Sequence, residues 1–322
     1  MKKLILIIWL LLLAICHVTG AADPNQLNAP YLGLKPPGMT PEIFAPGIVS
    51  TGMSESAIAV SPDGREIFYT VHAGNSETIV TTRLENGCWT APEVAPFSGK
   101  YLDGFPAMHP DGSKLYFHSY RPLDKGSRIA AVVNIWFVQK KGPQWGAPQP
   151  VGPPINGNGF VCCPSVTRSG TLYYSKKTGE GGEKIFRSRF VKGKYMTPEE
   201  LPQQINREKA QFHAVISPDE SFLILPREKY LVSFRDARDQ WSDLIPLSDA
   251  VNKLKSGWCP SMSSDARYFF FAAYPKVKWN KSFDRRHTFA NLQQITLQQP
   301  APDRTDIFWV DAKIIESVKP QQ

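Results

Sequence analysis

Residues 56–69 of the chain read SAIAVSPDGREIFY, which places two short apolar runs on either side of a four-residue turn. In that turn, Pro62 fixes φ near the value that a type I turn needs, Asp63 tolerates the next position, and Gly64 can adopt positive φ. The flanking runs are rich in Ile, Val, Tyr and Phe, a composition typical of β-strands. The stretch therefore predicts a β-hairpin.

The same hairpin pattern recurs four more times along the chain. The copies are GFPAMHPDGSKLYF at 104–117, CCPSVTRSGTLYY at 162–174, FHAVISPDESFLI at 212–224 and WCPSMSSDARYFF at 258–270. Their turns and the first one begin at Ser61, His109, Thr167, Ser217 and Ser263, so the intervals are 48, 58, 50 and 46 residues. A repeat of about 50 residues, each with several strands, is typical of a β-propeller.

The ends of the repeat array predict how the ring closes. A third strand-like run follows every hairpin, and in four repeats an outer segment with an aromatic residue follows that run. The last repeat lacks the outer segment, but residues 41–46 (PEIFAP) resemble the outer segment at 92–96 (PEVAP) and precede the first repeat. We therefore expect an all-β chain with a single propeller of about five four-stranded blades, in which residues 41–50 supply the outer strand of the last blade. Such closure protects edge strands.

Two other architectures fit the strand count. A six-bladed ring is the alternative within the propeller class, and a β-sandwich is the alternative outside it. The sandwich would not explain why the missing outer segment occurs near the N-terminus. The predicted organisation is a leader at 1–22, an extended arm at 23–40, the propeller at 41–316 and a tail at 317–322.

The N-terminal residues have the pattern of a secretory signal peptide. A basic start at Lys2 and Lys3 precedes an apolar stretch from Leu4 to Ile15, and small residues follow it. The stretch is shorter than the ~20 apolar residues that span a bilayer. Cleavage would leave an exported chain without a membrane span, in the periplasm or outside the cell. An uncleaved anchor and lipidation of Cys16 are the two alternatives.

The net charge and the cysteine content limit the kinds of partner, disulfide and metal site that we expect. The formal net charge is +8 without a dense Lys/Arg run, so we expect no nucleic-acid partner. Export permits disulfides, and Cys163 could pair with Cys259 because the two occupy equivalent repeat positions. A vicinal disulfide at Cys162 and Cys163, or two buried thiols there, are the alternatives. The chain has no CxxC or HxxxH spacing, so we expect no metal site, and no cofactor is expected.

Residues 54–315 resemble the TolB-like, WD-like repeat of bacterial propellers, whose hallmark is S-P-D-G before an aromatic-rich strand. The match is best at 61–64 (SPDG), 109–112 (HPDG) and 217–219 (SPD). Many exported members of this group are uncharacterised, and the group includes binding modules, scaffolds and a few enzymes. The resemblance thus implies the propeller fold and leaves the activity open.

The propeller topology directs attention to one rim of the central channel. Loops that precede each first strand and loops that join the second and third strands lie at the end opposite the hairpin turns. The residues at those positions with suitable chemistry for ligand binding are Glu55, Asp103, Phe105, Arg121, His213, Arg227 and Trp258. Charged groups beside aromatic walls could hold a sugar, a peptide or an anionic group.

Structural roles compete with ligand binding at these positions. Glu55 and Asp103 could accept hydrogen bonds from a neighbouring blade, Arg121 could form an inter-blade ion pair, and His213 could be a core histidine. A carbohydrate-active enzyme, either a glycoside hydrolase or a lyase, would use Glu55 and Asp103 as its carboxyl pair. No third acidic residue occurs at the equivalent positions, so the sequence favours a non-catalytic binding or scaffold module with no catalytic residue. Its partner would be a protein, a peptide or a carbohydrate.

Overall fold

A computed structural model describes residues 29–123, 132–157, 159–179, 182–207, 213–256, 258–275 and 304–320. A 3-10 helix (Tyr31–Gly33) and strand β1 (Glu42–Ile43) precede the repeats. The first blade consists of β2 (Ser54–Val60), β3 (Glu66–Ala73), β4 (Ser76–Glu85) and β6 (Glu93–Val94), with the short β5 (Cys88–Trp89) paired to β4.

The next three blades repeat this antiparallel order. Blade two consists of β7 (Asp103–Met108), β8 (Lys114–Ser119), β9 (Asn134–Lys141) and β11 (Gln149–Pro150), with β10 (Gln144–Trp145) beside β9. Blade three consists of β12 (Val161–Val166), β13 (Leu172–Lys177), β14 (Glu183–Ser188) and β17 (Glu199–Glu200), and a hairpin of β15 (Phe190–Val191) and β16 (Lys194–Tyr195) extends from it. Blade four consists of β18 (Val215–Ile216), β19 (Phe222–Pro226), β20 (Tyr230–Phe234) and β21 (Ile245–Pro246).

The last blade closes the ring with the N-terminal strand. It contains β23 (Ser261–Met262), β24 (Tyr268–Tyr274), β25 (Asp306–Asp311) and β1, and β22 (Lys255–Ser256) also pairs with β24. In the closing pair, Glu42 lies opposite Trp309 and Ile43 opposite Phe308. The prediction of a single five-bladed ring closed by an N-terminal outer strand is confirmed, and the six-bladed and sandwich alternatives are wrong.

Helices are short and few among the described residues. They are α1 (Gln203–Asn206), α2 (Asp249–Asn252) and α3 (Lys313–Glu316). None of the helices in the described ranges has the length and apolar character that crossing a membrane requires. The predicted signal peptide at 1–22 lies outside the described residues, as do residues 23–28 of the predicted arm.

The hairpin turns adopt the same backbone conformation with and without glycine. φ is +68° at Gly64 and +76° at Gly112, as the turn type demands. In the fourth and fifth repeats, Glu220 (φ +62°) and Ala266 (φ +59°) occupy the glycine position. The repeat geometry is therefore strong enough to hold ordinary side chains in a left-handed conformation.

A polar side chain fastens the third strand of every blade, a feature that the repeat alignment did not reveal. Each of these side chains lies 19–22 residues after the strand residue that it bonds, except in the last blade, where it comes from the N-terminal segment. They are Ser98, Asn156, Asn206, Asn252 and Ser50, and they bond to the backbone of Ile79, Ile135, Ile185, Tyr230 and Ile307 respectively. In blades two to four the asparagine side chain both donates to and accepts from the strand. These bonds fix the segment that leads to the next first strand, and so they position the channel mouth.

The hydrophobic core lies between neighbouring blades. The cluster between blades four and five includes Tyr230, Phe269 and Phe271, all nearly fully buried. The cluster between blades five and one includes Phe44 and Trp309, whose rings lie 5.0 Å apart, so the N-terminal segment is part of the core.

Candidate binding site at the channel mouth

Five residues form a ring around the central channel, one from the start of each first strand. Their φ values are +41°, +55°, +54°, +62° and +55° at Ala57, Phe105, Cys163, His213 and Cys259. In the first three blades the strand pairing shifts register here, which is the signature of a β-bulge. We call these five residues the channel ring. The positive φ at these five positions turns the side chains toward the channel axis.

Contacts across the axis show that the channel ring is closed. The rings of Phe105 and His213 lie 4.4 Å apart, although they belong to blades two and four. His213 Nδ1 lies 3.7 Å from Cys259 Sγ. A cavity of ≈ 60 Å³ along the axis continues from this level toward Pro110 and Pro218 in the hairpin turns. That volume has room for a few water molecules.

Trp258 adds an exposed aromatic side chain to the channel ring at the mouth. The ring of Trp258 lies 6.2 Å from that of His213. Trp258 is 38 % exposed to solvent. Tyr230 Oη donates a hydrogen bond of 2.7 Å to the Trp258 carbonyl oxygen, which holds the backbone in place. Phe105, His213 and Trp258 are the three predicted rim residues that the structure brings together, and we call them the aromatic ledge.

His213 is a neutral member of the ledge. Burial lowers the pKa of His213 to about 3, and the nearby charge of His118 contributes in the same direction. The imidazole therefore offers an aromatic face and hydrogen-bonding nitrogens, without a positive charge, at any pH near neutrality. It is suited to positioning a ligand by shape and polarity.

Beside the ledge lies a buried ion pair from blades one and two. His118 Nε2 lies 3.1 Å from Glu77 Oε2. Burial favours the neutral imidazole, but the Glu77 carboxylate outweighs it and raises the pKa of His118 to about 10. Glu77 reaches His118 across Gly104, where a Cβ atom would lie 2.4 Å from Glu77 Oε1. A side chain at position 104 would therefore force the Glu77 carboxylate to move.

Two adjacent thiols lie next to His118. The Sγ atoms of Cys162 and Cys163 are 3.1 Å apart, and both residues are buried. The hydrogen bond from Cys163, aided by His118, lowers the pKa of Cys162 to about 7, whereas burial raises that of Cys163. The structure has Cys88, Cys162, Cys163 and Cys259 as free thiols. The pairing of Cys163 with Cys259 stays a prediction.

Asp103 and Arg121 form a buried ion pair within blade two. Arg121 Nη2 lies 3.1 and 3.2 Å from the two carboxylate oxygens of Asp103, and Ser98 Oγ donates to the same carboxylate at 3.0 Å. Burial raises the pKa of Asp103, and the guanidinium opposes this. The Arg121 guanidinium also lies over the rings of Phe117 and Trp136. Arg121 therefore makes its ion pair inside one blade and not between two.

Glu55 faces a second buried carboxyl group. Thr51 Oγ1 donates to Glu55 Oε1, while Glu55 Oε2 and both carboxyl oxygens of Asp306 have no hydrogen-bond partner among the described residues. Burial raises the pKa of Glu55 to about 7. Burial and the charge of Glu55 together raise the pKa of Asp306 to about 8. At least one of the two carboxyl groups is therefore protonated near neutral pH.

Arg227, the remaining predicted rim residue, lies in the turn between β19 and β20. It is half-buried, and its backbone N–H donates to the Lys229 carbonyl oxygen at 2.9 Å. Sequence reasoning missed Glu77, His118 and Asp306. His118 carried a signal, because a histidine inside the apolar run LYFHS of a second strand needs a partner when the strand is buried.

No protein-family model and no curated protein sequence matches the chain. Among solved structures, the chain is similar to TolB from Acinetobacter baumannii, at 20% identity and a TM-score of 0.45 over 68% of this chain and 49% of that one. The chain thus spans about half the length of that TolB.

Two glycosidase structures also resemble the chain. An α-L-arabinofuranosidase from Lactobacillus brevis has 12% identity and a TM-score of 0.46 over 80% of this chain and 90% of that one. A GH62 hydrolase in complex with xylotriose has 12% identity and a TM-score of 0.46 over 84% and 97%. Likenesses at this level bear on neither ligand nor activity.

Proposed function

We propose that the protein is an exported, non-catalytic binding module that holds a peptide or carbohydrate ligand on the aromatic ledge. The observation that carries this proposal is the 38 % exposure of Trp258 at the channel mouth, above a closed ring. Large aromatic residues that stay exposed beside polar groups are typical of binding surfaces. Neutral His213 and the face of Phe105 complete a surface suited to an uncharged ligand.

The state of the carboxyl groups supports binding without catalysis. A glycosidase needs two carboxyl groups that reach the scissile bond from either side. Glu55 and Asp103 are both 0 % exposed. Asp103 is engaged by Arg121 and Ser98. Neither carboxyl group is presented to a ligand on the ledge.

A carbohydrate-active enzyme remains the second candidate, on one specific observation. The pKa of Glu55, raised to about 7, is in the range of a general acid that is protonated near neutral pH. Assays of the purified protein on polysaccharides and aryl glycosides test this candidate. Turnover that disappears in Glu55→Gln would replace the binding proposal with an enzyme, and we expect no turnover.

The binding proposal is tested by a glycan array and a peptide array probed with the protein lacking residues 1–22. For a ligand found there, we expect Trp258→Ala to weaken binding by 10-fold or more, roughly the effect of losing a buried aromatic anchor. Met196→Ala is the matched control, because Met196 is 40 % exposed on blade three, away from the ledge. Equal affinity in the wild type and in Trp258→Ala would refute the proposal.

Export is proposed from the N-terminal pattern alone. Expression of the full chain in a bacterial host, followed by fractionation and N-terminal sequencing, tests it. We expect a periplasmic or secreted product that begins near residues 21–23. A product that begins at Met1 and stays in the cytoplasm would contradict export.

A further inference from the structure

A histidine and two cysteines converge in the channel wall beneath the aromatic ledge. His118 lies on β8, and Cys162 and Cys163 lie on β12 of the next blade. One ligand atom from each lies within 4.8 Å of the others, and the three residues are 7 %, 4 % and 4 % exposed. Donor atoms on one metal ion lie about 3.5–4 Å apart, given bond lengths of about 2.3 Å to sulfur and 2.0 Å to nitrogen. Small side-chain rotations would therefore bring all three within bonding distance of one ion.

The channel-ring bulge explains how two consecutive cysteines point to one place. In a regular strand, successive side chains point to opposite faces of the sheet. Here the pairing of β12 with β13 shifts between Cys162 and Ser165, and Cys163 has φ of +54°. This departure brings the two Sγ atoms to 3.1 Å from each other. The backbone thus holds a preformed pair of sulfur donors.

The orientation of His118 is that of a metal ligand. Its Nε2 is engaged by Glu77 at 3.1 Å, which leaves Nδ1 for another ligand, and the His118 side chain lies within hydrogen-bonding reach of Cys162. Histidines that bind metals usually bond to a carboxylate through the other ring nitrogen, which fixes the tautomer and the ring. Glu77 provides that bond, and Phe105 packs on the His118 ring at 4.7 Å.

We propose that His118, Cys162 and Cys163 bind one thiophilic metal ion, and that the ion is Cu(I). Sulfur donors select Cu(I) or zinc over harder ions. A structural zinc site takes four protein ligands, whereas three soft donors satisfy Cu(I). Val133, Tyr120 and Phe160 pack beside the thiols, and the burial of all three ligand residues limits the access of water as a further ligand. The site shares no ligand residue with the aromatic ledge, although Phe105 of the ledge packs on His118.

Anaerobic titration of the reduced protein with Cu(I), in competition with bathocuproine disulfonate, tests the proposal. We expect about one tightly bound Cu(I) per chain, with an X-ray absorption spectrum that shows two sulfur neighbours and one nitrogen neighbour. Cys162→Ser and Cys163→Ser should each weaken binding by at least 100-fold. Cys88→Ser should leave it unchanged, because Cys88 lies in blade one, outside the cluster.

Glu77→Gln tests whether Cu(I) binding needs an oriented His118 in addition to the two reactive thiols. This positioning residue touches no metal, and loss of its charge should weaken Cu(I) binding about 10-fold or more while both thiols still react with a thiol reagent. If the cysteine variants do not fold, the absorption spectrum of the wild type decides. The proposal would be overturned by any of three results. These are a metal coordination shell without sulfur, loss of Cu(I) binding in Cys88→Ser, and a Cys162–Cys163 disulfide that persists in reductant.

Discussion

Glu55 and Asp103 occupy the same repeat position in blades one and two, and burial raises the pKa of both carboxyl groups, yet their neighbours differ. Asp103 lies against the Arg121 guanidinium and accepts from Ser98, so its ionised form is compensated. Glu55 accepts from Thr51 and faces Asp306, a second carboxyl group. Position in the repeat therefore does not determine which charged groups surround a carboxyl group.

Arg121→Met should produce the largest loss of stability. It leaves Asp103 in blade two without a positive partner, so that Asp103 resembles Glu55 in blade one. Loss of the guanidinium leaves Asp103 buried without a positive partner, which lowers the free energy of unfolding by about 3–5 kcal/mol. Urea denaturation near neutral pH measures it. Arg267→Ala is the control, since Arg267 pairs with Asp265 while its side chain is 66 % exposed, and it should change stability by no more than about 0.5 kcal/mol.

A second change on the partner tests the reason for that loss. Arg121→Met combined with Asp103→Asn removes the uncompensated charge and should recover part of the stability. If the double variant is as unstable as the single one, packing of the guanidinium on Phe117 and Trp136, and not the charge, holds the site together.

Asp306→Asn should stabilise the protein at high pH, whereas Arg121→Met destabilises it. The pKa values of Glu55 and Asp306 are raised to about 7 and about 8, so the folded chain holds protons that the unfolded chain has released. Stability from these groups is present at low pH and falls as pH rises from about 4 through about 8. We expect the variant to be more stable than the wild type by on the order of 2 kcal/mol at about pH 9, with little difference at about pH 4.

Urea denaturation at several pH values measures this difference. Asp311→Asn serves as the control, because Asp311 lies on the same strand with a side chain that is 31 % exposed. A wild-type stability that rises between about pH 5 and 8 by more than the variant's does would contradict the carboxyl pair.

Thr51→Val should have the smallest effect, and one that depends on pH. Removing the hydroxyl that donates to Glu55 raises the pKa of Glu55 further, because a donor favours the ionised form. The loss should be about 1 kcal/mol at about pH 8 and smaller at about pH 5. Ser98→Ala, the matched change beside Asp103, should show a weaker pH dependence, because the Arg121 guanidinium still favours the ionised form of Asp103. Equal pH dependence in the two variants would contradict the proposed difference between the surroundings of Glu55 and Asp103.

The same contrast shows what sequence predicts in this fold. Turn residues such as Gly64 and the apolar runs around them act locally, so the five hairpins, the closing strand and the equivalence of Glu55 with Asp103 follow from the pattern. Asp306 meets Glu55 only once the ring has closed. His118 meets Cys162 only across a blade boundary, and the bulge at Cys163 depends on packing around the axis. Interactions between blades are not encoded in the repeat, and the candidate sites are made of them.

The most direct test of a ligand on the aromatic ledge is ¹⁹F NMR of the protein labelled with 5-fluorotryptophan. In the protein lacking residues 1–22, Trp258→Phe identifies the Trp258 resonance among those of the seven remaining tryptophans. We expect saturating ligand to shift this resonance and to leave that of Trp89, which packs on the outer part of blade one, unchanged. A Trp258 resonance that does not move when the ligand is fully bound would contradict the proposed binding site.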